Sequence, residues 1–278
     1  MKVPRSGRTR RLAFTLVEVL VAIAVLSIMI LFLGTIASSI GSVSHGSRQN
    51  AETSSDARAV LDLMCRELAT GVSRPDLNQT NWISLTNSGT TLNFYSRNTG
   101  SAIASAGTTT TYRPLSYIEY TWSQSTTNSF LARGDQAFLW ANPIPLGYPP
   151  ATPTGPAVTD VLDGVVAFQV TFLQQDGSFS DGYSSTNTLA ATVSLAMVDS
   201  DSLNILINTA KLQNLSTLLN QASAGTTQTL ISGGSTNSPR MDWENAINSS
   251  PGINAYPQQV KTGLHFFERT VDLPKPIL

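Results

Sequence analysis

Hydrophobic residues are distributed in two different ways along this chain of 278 residues. From Phe14 to Gly34 they form one nearly continuous apolar run, in which Glu18 is the single charged residue. Beyond Ser38 the chain is rich in Ser, Thr, Asn and Gly, and its apolar residues come in short alternating groups. The first pattern predicts a membrane-spanning helix, because about 20 apolar residues cross the hydrocarbon core of a bilayer. The second predicts a β-rich domain.

The apolar run contains no proline, so every backbone amide in it can be bonded within a helix. The polar stretch 40–55 contains Gly41 and Gly46, where the helix could break. Helical periodicity returns over residues 56–69, which Gly71 follows. We expect one helix from residue 14 to about 70, embedded in the membrane at its start and packed on a globular domain at its end. The residues expected to make that packing are Leu61, Met64 and Leu68.

Short β patterns follow the helix. Trp82–Leu85 and Thr91–Tyr95 predict one antiparallel pair of strands, and Tyr117–Trp122 with Phe130–Arg133 predicts a hairpin. Residues 141–156 are rich in Pro and Gly and predict a loop.

The clearest strand is Val165–Leu173, in which we expect Val166, Phe168, Val170 and Phe172 to share one face. The run from Leu189 to Met197 alternates in the same way and predicts the partner strand. Leu264–Leu273 predicts a closing strand.

Between these strands the chain predicts one helix and one loop. Residues 202–222 carry an apolar stripe of Leu212, Leu215 and Leu219, and Asp199 or Ser200 would cap the helix. Residues 223–262 have low complexity and predict a long loop that contains Trp243.

This order predicts an α+β fold, in which a long N-terminal transmembrane and stalk helix packs on a mainly antiparallel β domain. We expect a cytoplasmic leader at residues 1–13, a transmembrane helix at 14–38 and a helical stalk at 39–72. The β-rich extracytoplasmic domain would occupy residues 73–278, with a helical and low-complexity insert at 199–262.

Charge in the leader sets the expected topology. It holds five basic residues and no acid: Lys2, Arg5, Arg8, Arg10 and Arg11. This bias places the N-terminus in the cytoplasm and the bulk of the chain outside it, with a single crossing of the membrane. A cleaved signal peptide or an ordinary signal anchor would have the same flank and apolar run. A cleaved signal peptide is disfavoured because its small-x-small pattern, Ala22-Ile23-Ala24, lies in the middle of the apolar run. An ordinary signal anchor does not explain Glu18, because a carboxylate within a membrane helix usually has a partner and a role.

The stretch Ala13-Phe14-Thr15-Leu16-Val17-Glu18-Val19-Leu20-Val21-Ala22 resembles the processing site of type IV prepilins and type II secretion pseudopilins. That family joins a basic leader to a small residue, usually Gly, and then to Phe-Thr-Leu-x-Glu and an apolar helix; this chain has Ala13 at the small position. The resemblance implies that a prepilin peptidase cleaves between Ala13 and Phe14 and that the new amine of Phe14 is methylated. In a fibre, Glu18 could then pair with the amine of a neighbouring subunit and set the register.

A second resemblance lies in the β-rich part. Tyr117–Trp122, the segment Leu162-Asp163-Gly164-Val165 before an alternating strand, Asp176-Gly177 and Leu189–Val198 follow one another as in the J-class minor pseudopilin of type II secretion. The insert at 199–262 departs from that class and resembles the protein C type of the Verru_Chthon cassette, which is a pseudopilin-like group.

Few residues are candidates for other chemistry. The two histidines, His45 and His265, have no cysteine or second histidine at zinc-ligand spacing. The single cysteine, Cys65, cannot form an intrachain disulfide, so it is either a small buried side chain or an intermolecular bridge. A calcium loop is a weak alternative to a plain hairpin turn at Asp176, Ser178, Ser180 and Asp181, because the EF-hand spacing is missing. We therefore expect no cofactor.

Composition and motifs favour a structural role. Without the leader the chain keeps 12 of its 17 basic residues against 18 acids, a net charge near −6 that argues against nucleic-acid binding. No nucleophile-elbow, P-loop or H-E-x-x-H motif is present, so we do not expect an enzyme or a small-molecule substrate. We interpret the chain as a minor pseudopilin-like subunit whose partners are prepilin peptidase, sister pilin or pseudopilin subunits and the inner membrane. The alternatives are a type IV minor pilin in adhesion or DNA uptake and a signal-anchored extracytoplasmic enzyme.

Overall fold

The structure is a computed structural model. It describes residues 15–72, 82–86, 90–98, 112–139, 157–184, 186–227, 237–249 and 251–274. The chain divides into two compact units, Met1–Arg48 and Gln49–Leu278. The predicted loop at 141–156 lies outside the described residues.

Helix α1 spans Leu16–Ala69 without interruption. The prediction of one helix to about residue 70 is confirmed, and the helix does not break at Gly41 or Gly46. A glycine within a helix lowers the stability of the helix by only about 1 kcal/mol relative to alanine. The hydrogen bonds of the adjoining helical turns can offset this cost.

The described strands form two antiparallel sheets. The first sheet has the order β1-β2-β3-β4-β5, with strands Ile83–Thr86, Thr91–Ser96, Tyr112–Gln124, Ser129–Leu139 and Ala157–Asp163. The second has the order β7-β6-β8-β9, with β6 at Val165–Gln174, β7 at Phe179–Ser180, β8 at Thr188–Val198 and β9 at Leu264–Asp272. The predicted α+β class is confirmed, as are both hairpins of the first sheet and the closing strand.

The main core lies where the C-terminal turns of α1 meet both sheets. Leu61, Met64 and Leu68 are buried there, as their helical spacing predicts. Apolar side chains of both sheets complete this core, among them Phe94, Ile118, Tyr120, Leu131, Phe168, Val193 and Leu195. Removing this much apolar surface from water is the main favourable term that holds the helix on the sheets.

A second core covers the other side of the second sheet. It is built by α2 (Ser200–Asn208), α3 (Leu212–Thr227), α4 (Pro239–Ser249), a 3-10 helix (Pro251–Ala255) and α5 (Gln258–Thr262). The predicted leucine stripe, Leu212, Leu215 and Leu219, is buried in it. Asp199 is the predicted N-cap of α2, and its Oδ1 accepts a hydrogen bond of 2.6 Å from the backbone N–H of Ser202.

Two sequence predictions for the insert are wrong. Residues 202–222 form two helices rather than one, separated by a turn at Ala210 with φ 52°. The segment 223–262 is not a loop over its described residues, because α4, the 3-10 helix and α5 lie within it. Helix α4 is polar apart from a few positions, and the fully buried side chain of Trp243 anchors it. One apolar anchor per helix gives no periodic signal in a sequence.

Gly164 carries the chain from the first sheet to the second. Its φ is 74°, its N–H donates to Ser129 O over 2.9 Å, and its carbonyl accepts from Val198 N over 3.0 Å. A Cβ at this position would lie 2.6 Å from Val198 O. Only glycine combines this backbone conformation with so close an approach of another chain segment. The Leu-Asp-Gly-Val segment is therefore the crossing between the two sheets.

A register shift lies at the start of β6, between Val165 and Ala167. It turns Val165 toward the main core, with Phe168 and Val170, whereas Val166 faces the second core. The prediction that Val166 shares a face with Phe168 is wrong, because a bulge breaks the two-residue alternation of a strand.

One buried carboxylate, Glu67, ties α1 to the first sheet by polar contacts. Its Oε2 accepts a hydrogen bond of 2.6 Å from the Tyr120 hydroxyl, and its Oε1 pairs with Arg133 Nη2 at 2.5 Å. Arg133 also donates from Nη1 to Asp135 at 3.0 Å. Burial and the adjacent Glu67 charge raise the pKa of Tyr120, so this side chain remains a neutral donor. Burial lowers the pKa of Arg133, but the hydrogen bonds and charge of Glu67 outweigh it and the net pKa is raised.

We predict that Glu67→Ala lowers the free energy of unfolding by about 3 kcal/mol, because it leaves the largely buried Arg133 without its main partner. Tyr120→Phe should cost about 1.5 kcal/mol, the contribution of one hydrogen bond to a charged group. Urea unfolding of the full chain in detergent, followed by circular dichroism, measures both changes.

The matched control for this prediction is Asp56→Ala, which removes an exposed carboxylate from the same helix and should change stability by less than about 0.5 kcal/mol. Equal losses for Glu67→Ala and Asp56→Ala would contradict a role for Glu67 in holding the helix on the sheet.

Candidate functional site

The first turn of α1 is built as a capped helix start. Thr15 precedes the helix, and its hydroxyl and carbonyl oxygens lie 3.3 Å and 3.0 Å from the backbone N of Glu18, which donates to them. The sequence Thr15-Leu16-Val17-Glu18 has the spacing of a capping box. Glu18 is therefore the third residue of the helix, where the positive end of the helix dipole favours a carboxylate.

The helix that follows Glu18 presents apolar side chains on all sides. Between Leu16 and Ile40 the large apolar side chains are 43% to 79% exposed in the isolated chain. Among the described residues, α1 is the one helix long and apolar enough to cross a membrane by length and composition. Such a surface is stable only in lipid or against other apolar helices.

Polar side chains in this segment are satisfied within the helix itself. The Ser27 hydroxyl donates to Ile23 O and the Thr35 hydroxyl donates to Phe32 O, each over 2.8 Å. Neither residue therefore brings an unpaired donor into an apolar environment, where an unsatisfied polar group costs several kcal/mol. Glu18 differs from them, because an ionised carboxylate needs a charged or strongly donating partner.

The expected processing residues, Ala13 and Phe14, lie outside the described residues. Glu18 is described and lies in the first turn of α1. The cleavage, methylation and assembly roles of these three residues therefore stay predictions.

A comparison with protein families matches residues 8–34 to the Prokaryotic N-terminal methylation motif. A comparison with curated proteins finds no match to the chain. The matched segment includes the end of the basic leader, the Ala13–Phe14 junction, Glu18 and the whole apolar run to Gly34. It supports a type IV pilin-like or pseudopilin precursor that is anchored in a membrane. The motif also implies processing by a prepilin peptidase and assembly with other pilin-type subunits.

The hairpin at Asp176 is organised as a turn. Asp176 Oδ1 accepts from the backbone N of Ser178 over 2.9 Å and from its hydroxyl over 2.6 Å, and these bonds lower the pKa of Asp176. Gly177 supplies the positive φ that the turn requires, and the Ser180 hydroxyl accepts from Gly182 N over 3.1 Å. Within the described part of the chain, no three His, Cys, Asp or Glu side chains come together as metal ligands.

Of the two histidines, the structure describes the side chain of His265. His265 Nε2 lies 3.2 Å from Asn50 Oδ1, which links β9 to α1 within the second unit. The side chain of His45 lies outside the described residues.

Sequence reasoning missed the pairing of Glu67 with Arg133. Glu67 lies seven residues after Val60 and three after Met64, on the buried stripe of α1. A charged residue on an apolar stripe was the signal that could have predicted a buried carboxylate with a polar partner. Its partner is 66 residues away on β4, and no local pattern identifies it.

Cys65 is buried beside this stripe, with 6% of its side chain exposed, and burial raises its pKa to about 11. We predict that iodoacetamide at pH 8 labels Cys65 at least about tenfold more slowly in the native chain than in the urea-unfolded chain. Only the thiolate reacts, and with a pKa of about 11, about one native thiol in a thousand is ionised at this pH. Mass spectrometry of the alkylated chain measures both rates. Rapid native labelling, or a disulfide-linked dimer on a non-reducing gel, would instead support the intermolecular bridge.

Proposed function

We propose that this chain is a minor pseudopilin-like structural subunit of a type II secretion or type IV pilus-like assembly. The observation that carries the proposal is a methylation motif whose carboxylate, Glu18, begins an exposed apolar helix. A subunit of this kind does mechanical work and performs no chemistry, so we propose neither a catalytic residue nor a cofactor.

Processing would convert the precursor into an assembling subunit. The peptidase removes residues 1–13 by cleaving between Ala13 and Phe14, and the amine of Phe14 is then methylated. Residues 14–38 hold the chain in the inner membrane, with its N-terminus in the cytoplasm and its β-rich domain in the periplasm. The positive leader and the absence of other charges from the apolar run support this orientation.

Electrostatics explains why Glu18 would control assembly. Cleavage creates a positive amine at the start of the helix, four residues before Glu18. In a staggered array, the amine of one subunit can approach the Glu18 carboxylate of its neighbour. Attraction between opposite charges is strong in a low-dielectric environment, and an unpaired carboxylate there is costly. The pair therefore favours one register over others while the apolar helices pack together.

We further propose a narrower assignment to the J-class of minor pseudopilins, which rests on a resemblance in sequence order. As in that class, a Leu-Asp-Gly-Val segment is followed along the chain by an alternating strand, an Asp-Gly turn and a later strand. Here these are β6, the Asp176 turn between β6 and β7, and β8. The insert at 199–262 departs from that class, and its sequence resembles the protein C type of the Verru_Chthon cassette. The β-rich domain would contact sister minor subunits.

We predict that Glu18→Ala inserts in the membrane and is processed but no longer enters the assembly. A photo-crosslinking amino acid at Ile30, within the apolar helix, reports contacts with other pilin-type subunits in native membranes. Adducts identified by mass spectrometry should fall at least about tenfold, since loss of a low-dielectric ion pair is worth more than 1.4 kcal/mol.

Two variants control this experiment. Ser27→Ala removes a polar group that is already satisfied within the helix and should leave the adducts unchanged. Glu18→Asp keeps the charge and should retain part of them. Normal adduct formation by Glu18→Ala would refute the proposed role of the carboxylate.

A further inference from the structure

Among the described strands, β5 lies at the outer edge of the first sheet. This strand pairs with β4 on one side, and no described strand pairs with its other side. Its side chains are largely exposed, and 58% of Val158 is accessible. An exposed edge strand presents unpaired N–H and C=O groups, which can bind another extended polypeptide.

A groove begins where β5 ends. It encloses about 350 Å³ between residues 49–56 of α1, the β5–β6 crossing and the start of α2. Apolar side chains form part of its wall, among them Leu162, Met197 and Leu203. Carboxylates of Glu52, Asp56, Asp160 and Asp163 also line it, and no Lys or Arg does. The surface beside the strand edge is therefore lined by both apolar and acidic side chains.

Strand register places two of these carboxylates on one face of the sheet. Asp160 lies opposite Ala132, and Asp163 lies opposite Phe130. Ala132 and Phe130 are two residues apart on β4. Because residues two apart on a strand share a face, Ala132 and Phe130 project the same way. A register shift between Leu131 and Ala132 brings Asp163 to the face of Asp160 although they are three residues apart.

We propose that the β5 edge and its groove bind an extended segment of a partner polypeptide that alternates basic and apolar residues. Its backbone pairs with β5, its basic side chains lie beside Asp160 and Asp163, and its apolar side chains face the opposite way, toward Leu162. Charge complementarity selects this partner over an acidic or neutral strand. The inference is independent of Glu18 and of the proposed assembly through α1.

Fluorescence anisotropy with the full chain in detergent micelles at low ionic strength tests this inference. The probe is a fluorescein-labelled peptide of alternating Lys and Val. We expect it to bind, and we expect a Glu–Val peptide of equal length to remain free. A Lys–Val peptide that is N-methylated at alternate amides should also remain free, because it cannot pair with a strand edge.

Two double variants of equal charge locate the binding surface. Asp160→Asn/Asp163→Asn should weaken binding of the Lys–Val peptide about tenfold. Asp181→Asn/Asp272→Asn removes two exposed carboxylates outside the first sheet, one just after β7 and one at the end of β9, and should leave binding unchanged. Failure of the Lys–Val peptide to bind would overturn the inference. Equal binding of the N-methylated peptide, or equal weakening by both double variants, would also overturn it, since each shows unspecific charge attraction.

Discussion

An apolar helix surface cannot remain in water, and this constraint governs both parts of α1. Between Ala57 and Leu68 the constraint is met inside the chain, because both sheets cover the apolar stripe. Between Leu16 and Ile40 the apolar side chains stay exposed in the single chain. The surroundings of that segment must come from outside, as lipid or as the helices of other subunits. The functional proposal rests on this difference.

Two carboxylates of α1 show the same difference. Glu67 is buried, and the chain supplies its partners, a guanidinium from Arg133 and a hydroxyl from Tyr120. Glu18 begins the exposed apolar segment, where the hydroxyls of Ser27 and Thr35 are bonded to their own helix. The contacts of Glu67 show that a carboxylate in an apolar setting requires a positively charged hydrogen-bond donor. For Glu18, the amine of a neighbouring subunit would be that donor. One helix would then use internal pairing for folding and external pairing for assembly.

Much of the fold can be predicted from the sequence where the signal is local. The continuous apolar run predicts the start of α1, and two-residue alternation predicts β8. The Asp199 cap follows from residue type and position. The bulge at Val165–Val166 and the pairing of Glu67 with Arg133 depend on partners distant in the sequence. Helix α4 has few apolar residues, and its burial depends on Trp243. At the candidate site, the sequence locates Glu18 and the Ala13–Phe14 junction. It does not identify the subunit that would pair with Glu18, because that subunit is another molecule.

The proposed role of Glu18 requires a processed N-terminus, because the amine of Phe14 that would pair with Glu18 exists only after cleavage. Mass spectrometry of the N-terminal peptide from protein isolated from its native membrane measures this state directly. We expect a mature chain that begins at Phe14 and carries one N-methyl group. A native chain that keeps its arginine-rich leader, or that is cut after the apolar run, would contradict the central claim.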